Sequence, residues 1–227
     1  MMLHKKEAFM SESMIRMLMS GLGETILMTF ASGFFSFLIG LPLGVTLFMT
    51  RPGEVLENKL IYRLVGIFVN IFRSIPFIIL IVWMIPFTRL VVGTSIGVFA
   101  ALVPLSIGAA PFVGRMVENS LLEVPHGLIE AARAMGATPL QIIRKVLLPE
   151  ALPSLVNAAS ITLISLVGYS AMGGAVGAGG LGQIGYQYGY VGYDIVVMNT
   201  VLILLVALVF LIQWMGHLIS RKVDHRK

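Results

Sequence analysis

Glu130-Ala-Ala-Arg-Ala-Met-Gly136, followed by Val146-Leu-Leu-Pro149, is a polar interruption in an otherwise apolar chain. Its local grammar is that of a helical corner. Gly136 reads as a helix terminator, Thr138 as the next N-cap and Pro139 as the first helical position. Thr138-x-x-Gln141 reads as a capping box, in which side chain and backbone satisfy each other's orphan groups. Two short helices with a fixed corner between them are expected here.

Outward from this corner the sequence is greasy. Apolar residues make up 57% of the 227 and charged residues 12%, against roughly half and a quarter in globular domains. The mean hydropathy is +0.93. A bilayer core of roughly 30 Å needs about 20 apolar residues per helix. The stretches 25–50, 90–114, 151–193 and 195–216 carry no charge, and 64–88 carries only Arg73. Five spans follow, at about 25–48, 65–88, 92–114, 153–175 and 196–217. The class expected is an all-α membrane protein: residues 1–24 as an extracytoplasmic segment, 25–217 as one membrane domain with a loop at 116–152, and 218–227 as a basic tail.

Five spans put the two ends on opposite faces, and the bias of Lys and Arg toward the cytoplasm decides which is which. With the C-terminus inside, 12 of the 16 basic residues fall on inner segments, leaving Lys5, Lys6, Arg16 and Arg89 outside. The 116–152 loop is then cytoplasmic. The net charge of +5 reads as topology, so no nucleic-acid partner is implied. The N-terminus has no signal-peptide pattern, since Glu7 and Glu12 follow Lys5 and Lys6 and no small-residue cleavage site follows a short apolar core.

Several chemistries are excluded. The chain has no cysteine, hence no disulfide, thiol nucleophile or Cys-ligated metal, and no metal site is expected. None of the six lysines follows a glycine, so the phosphate-cradling Gly-Lys-Ser/Thr of a P-loop is missing. Ion-driven carriers keep acids or histidines at membrane depth; here Glu, Asp and His are placed in loops or at span ends. Gly177-Ala-Gly-Gly-Leu-Gly182 spells a dinucleotide fingerprint without the preceding β-strand or the later acid. Gly93-Thr-Ser-Ile-Gly97 spells a nucleophile elbow with no histidine at matching depth, and is expected to be a tight turn.

Two features stay open. Arg73, followed by Ser74-Ile-Pro76, either snorkels toward the inner headgroups or contacts a substrate or backbone opened by Pro76; its place in the inner half of the span favours snorkelling. The segment 168–192 holds 10 of the 24 glycines, and five of the six tyrosines lie at 169–193. It reads as an outer interfacial loop, or as a surface receiving a binding protein through Tyr186, Tyr188 and Tyr190. Asp194 should cap the last span. Thr162, Ser165 and Tyr169, at i, i+3 and i+7, are a candidate pore face, although backbone bonding and span packing are the favoured reading of the two hydroxyls.

The opening stretch resembles the E-A-A-x3-G-x9-I-x-L-P signature of permease subunits of ABC importers, matched at Glu130, Ala131, Ala132, Gly136, Leu148 and Pro149, with Val146 in place of Ile. Residues 70–80, 84–88 and 166–186 look like permeases of methionine-uptake ABC importers, a likeness running from about Gly23 to Gln213. The resemblance implies a type I ABC importer permease fold of five transmembrane helices, in the cytoplasmic membrane of a bacterium. It also implies a second copy of the chain, two ATPase subunits that bind ATP and Mg, and an extracytoplasmic methionine-binding protein. This chain would hold no cofactor and catalyse no reaction. The cargo would be methionine of either hand, with another amino acid or an osmolyte as alternatives and a secondary transporter or membrane hydrolase as rival classes. Glu130 would contact the ATPase, Ala131 and Ala132 would allow close approach, and Gly136, Leu148 and Pro149 would shape the loop.

Overall fold

Residues 12–224 are described by a computed structural model, and every regular element among them is helical. Helix α1 (Glu12–Thr50) has 39 residues, or about 58 Å at 1.5 Å each. It begins well before the span expected at 25. Its first turns are apolar on one side, where Leu18 packs with Leu181, Ile184 and Val197. The rest of the expected N-terminal segment, 1–11, and the end of the tail, 225–227, lie outside the described residues.

Helix α2 (Lys59–Ser74) is capped by Asn58, whose side chain accepts from the amides of Leu60 and Ile61. The span expected at 65–88 is not straight. Between α2 and α3 (Phe77–Trp83) the axis turns by 99°, because Pro76 offers no N–H and disfavours helical backbone at Ile75; α4 (Ile85–Val92) then follows a second break at Met84. The turn at Gly93 and Gly97, both with positive φ, delays α5 (Val98–Leu122) beyond the expected start at 92. Helix α5 also continues past Gly114. Arg115 can stay in it because its guanidinium pairs with Glu118 at 2.6 Å and donates to Asn70 Oδ1 at 3.1 Å. Glu24 and Glu118, expected at a span end and in a loop, therefore both sit inside helices.

The corner expected to face the cytoplasm, called the inner corner from that expectation, comprises α6 (His126–Ala134), α7 (Pro139–Ile142), a π-helical turn Ile143–Leu147 and α8 (Leu148–Glu150). Helix α9 (Leu152–Gly174) leads away from it to the other end of the molecule. There α10 (Gly180–Ile184) and a π-helical segment Gly185–Val191 replace the loop expected from the glycines. Asp194 caps α11 (Ile195–Val223) by accepting from the amides of Val196 and Val197. Among the described residues four helices are long and apolar enough to cross a membrane, and the bent α2–α3 pair makes a fifth if counted as one broken span.

The most extensive packing is between α1 and α5. A stripe of small residues on α1, Gly33, Ser36, Gly40 and Gly44, is buried. A Cβ at Gly40 would lie 2.5 Å from Val113 Cβ, and one at Gly44 would lie 2.5 Å from Gly114 O. With lipid as the alternative solvent, this backbone approach supplies the van der Waals contact that apolar burial supplies in water. Ser36 adds a hydrogen bond to the Ser106 carbonyl at 3.0 Å.

Candidate functional site

The inner corner is built by local chemistry. Gly136 has φ +80°, the left-handed conformation that costs an L side chain about 1–2 kcal/mol. Its N–H bonds to Arg133 O at 2.9 Å and that of Ala137 to Ala132 O at 3.0 Å, the two bonds of a Schellman motif. Two residues on, Thr138 and Gln141 form the capping box in both directions. The π-turn ends where Leu148 N–H reaches back to Ile143 O, directly before Pro149, which has no N–H to extend the ladder.

The signature residues divide between two faces. Glu130, Ala131, Gly136 and Pro149 are exposed. Ala132 is not: it is 5% exposed and belongs to the inner core with Phe48, Ile129, Ile142 and Leu147. Its small side chain serves the approach of α6 to this chain's own helices. Leu148 is half-buried against the same core. The apolar surface of the corner comes instead from Met135, 82% exposed, with Leu128 and Leu140. Sequence reasoning passed over Met135, which follows the last helical residue Ala134 and lies three positions after the buried Ala132, where helical periodicity gives no outward signal.

The α1–α2 loop is pinned to this corner. Glu54 is buried and its carboxylate lies 3.2 Å from His126 Nε2, at the start of α6. Burial pushes the Glu54 carboxyl above its ordinary range, against the opposing pull of His126, Arg51 and Arg133.

At the far end, α10 is held across the fold. The N–H of Gly180 donates to Glu24 Oε2 at 2.7 Å and that of Leu181 to Thr25 Oγ1 at 2.9 Å. Gly177, Gly179 and Gly180 all have positive φ, so the dinucleotide-like string is the turn into a helix whose first amides α1 satisfies. Close packing continues along α9, where a Cβ at Gly182 would lie 2.5 Å from Ala171 O. Tyr186, Tyr188 and Tyr190 are 43%, 48% and 65% exposed, and the rings of Tyr186 and Tyr190 stack at 5.8 Å.

The three candidate pore residues do not form one open face. Thr162 is fully buried and its hydroxyl bonds to Ala158 O at 2.8 Å, while Ser165 bonds to Ile161 O at 3.0 Å. Both hydroxyls are satisfied inside their own helix, the packing alternative weighed from sequence. Tyr169 differs: its ring stacks on Phe77 at 4.5 Å, beside Arg73 in a cavity of 140 Å³. Arg73 lies with its Cζ 5.9 Å from the centre of the Phe112 ring. Ser95 accepts from Arg89 Nε at 3.1 Å, and among the described residues no three His, Asp or Glu cluster as metal ligands.

This geometry has a counterpart. The family model for the binding-protein-dependent transport system inner membrane component matches residues 36–225, and the chain belongs to that family, whose members are the membrane-spanning permeases of type I ABC importers. The D-methionine transport system permease proteins MetI of Salmonella typhimurium and Escherichia coli are each 72% identical to it over 165 residues, 73% of this chain and 76% of theirs. The probable D-methionine permease of Vibrio cholerae is 53% identical over 210 residues, 92% of this chain and 93% of that one. A solved inward-facing structure of the MetNI methionine ABC transporter contains a chain of the same fold: TM-score 0.94, 71% identity, covering 95% of this chain and 100% of that one. An amino acid ABC transporter solved with histidines shares the fold at 20% identity and a TM-score of 0.74.

Proposed function

We propose that this chain is the pore-forming half of an ATP-driven importer that carries L- and D-methionine across the cytoplasmic membrane. Two copies pair with two ATPase subunits, which bind ATP and Mg, and with an extracytoplasmic methionine-binding protein. The observation that carries this reading is the 71% identity to the permease chain of the MetNI methionine transporter over 95% of this chain. The corner at Glu130–Pro149 faces the cytoplasm and seats in the ATPase, with Glu130 as the polar contact and Met135 and Leu140 as the apolar ones. Tyr186, Tyr188 and Tyr190 face outward and receive the binding protein. ATP closure of the ATPase pair moves the corner, α9 transmits the movement, and the pore opens outward; hydrolysis resets it. Tyr169 lies along the path, while Thr162 and Ser165 pack the helix that carries it.

Co-reconstitution with the ATPase and binding protein should give ATP-driven methionine uptake. Stimulation by a different amino acid or an osmolyte instead would refute the cargo, and uptake by this chain alone would return the secondary transporter. Because the chain lacks cysteine, single cysteines report sidedness without background. Tyr190→Cys should react with an impermeant maleimide from outside, and Met135→Cys only after permeabilisation; the reverse would invert the topology.

A further inference from the structure

The broken span borders a cavity whose groups neither coupling nor docking uses, with Arg73 exposed at its edge. Arg73, Phe77, Phe112, Gly108 and Tyr169 line the 140 Å³ cavity at the bend between α2 and α3. Gly108 and Phe112 flank the middle of α5, so the cavity sits at mid-depth in a chain that spans a membrane. A cation there is costly and persists where it has something to bind. No carboxylate among the described residues pairs with Arg73; the ion pairs formed are Arg16–Glu12, Lys59–Glu57, Arg115–Glu118 and His126–Glu54. Its neighbour is instead the face of Phe112, which holds the guanidinium while leaving its in-plane donors available.

Three further features complete the arrangement. Pro76 has no N–H, and the carbonyls of Arg73 and Ser74 receive no backbone hydrogen bond across the break among the described residues. Of the two residues, Arg73 lines the cavity, so its carbonyl has no backbone donor beside its own guanidinium. Phe77 and Tyr169 stack with an interplanar angle of 10°, a flat wall of the kind that thioether sulfur favours. Gly108 lets α5 pack closely beside the wall, since a Cβ there would lie 2.9 Å from Leu80 Cδ2 and 3.4 Å from the Phe77 ring.

We infer that this cavity is a transient binding site for a zwitterionic amino acid within the membrane-spanning region. Arg73 takes the α-carboxylate as a charge-assisted, two-pronged hydrogen bond. The Arg73 carbonyl accepts from the α-ammonium, and the Phe77–Tyr169 wall takes the thioether chain. The inference rests on the methionine-import reading and adds to it a site inside the permease, separate from the binding protein.

The test uses the permease–ATPase complex in nanodiscs without binding protein, radiolabelled L-methionine as probe, and the ATPase alone as blank. Saturable binding above the blank is expected, competed by unlabelled L-methionine and not by methioninol, which lacks the carboxylate. Arg73→Gln should weaken it by roughly tenfold or more, with partial recovery in Arg73→Lys. Tyr169→Ala, on another helix, should weaken methionine more than alanine and serves if Arg73→Gln fails to assemble. Wild-type affinity in Arg73→Gln, competition by methioninol, or no saturable binding would overturn the site. A parallel uptake assay of the full complex separates the failures. Methionine uptake alongside any of those results leaves the importer standing and removes the cavity; absent uptake removes both.

Discussion

Glu24 of α1 and Gly180 of α10, 156 residues apart, are joined by a 2.7 Å hydrogen bond from the glycine amide to the carboxylate. With Thr25 at the next amide, it gives the first turn of α10 the partners that its own helix cannot supply. Glu24→Ala strands a partly buried N–H at a cost of about 1–3 kcal/mol, whereas Glu24→Gln keeps an acceptor oxygen. Thermal unfolding of the purified permease–ATPase complex should place Glu24→Ala below Glu24→Gln, and stimulation of ATP hydrolysis by the binding protein should fall in the same order. Equal melting temperatures would remove the clamp.

At the inner corner, Gly136→Val forces a β-branched residue to φ +80°, a strain of about 1–2 kcal/mol, while Gly136→Asn should be tolerated. Because nothing lies within 4 Å of a Cβ there, the valine variant should insert and fold while methionine uptake per ATP drops. Ala132→Trp behaves differently, since its site is buried: it should lose folded protein outright. Normal uptake per ATP in Gly136→Val would count against the corner as the route of coupling.

Met135→Asp alters a side chain 82% exposed, so the melting temperature of the isolated permease should hardly move. Removal of an apolar anchor from the ATPase contact should weaken assembly by about tenfold or more, read by co-purification at falling protein concentration. Undiminished assembly would exclude Met135 from the contact.

Glu54 carries a pH signature. Its folded carboxyl titrates above its unfolded one, so its favourable contribution is complete below the unfolded pKa and is lost as pH rises through the raised folded value. Stability of the wild type should therefore fall over that window, and Glu54→Gln should flatten the fall. An unchanged slope in unfolding measured between acid and neutral pH would dismiss this carboxyl as its source.

Gly44→Val drives a side chain against Gly114 O and Val117, an overpacking cost of about 1–3 kcal/mol. Gly23→Ala meets nothing within 4 Å and should gain about 0.5–1 kcal/mol by restricting the unfolded chain. Folded yield and melting temperature should move in opposite directions for the two.

What was legible in the sequence was local. The Schellman corner at Gly136, the capping box at Thr138, the Asp194 cap and the turn at Gly93 depend on residues a few positions apart, and each formed as read. Pro76 announced a break but not its 99° angle, which tertiary packing sets. Contacts across the fold were illegible: Glu24 looked like a span end because its partner, Gly180, is far along the chain. The burial of Ala132 was not legible because a motif carries identity without direction, and its packing beside Ile129 and Ile142 comes from the fold. Thr162 and Ser165 were read from sequence as packing ahead of pore lining, because hydroxyls in a span serve either, and their bonds to Ala158 and Ile161 fit the packing reading.

The tight seam between α9 and α10 also has an evolutionary consequence. Where Gly182 meets Ala171 even one added methyl is excluded, so mutational drift on that side of the hairpin is closed. The tyrosine side carries no such restriction, and Tyr186, Tyr188 and Tyr190 can vary while the scaffold beneath them stays fixed. A lineage can therefore remodel that surface by side-chain changes alone, keeping the helices beneath it intact.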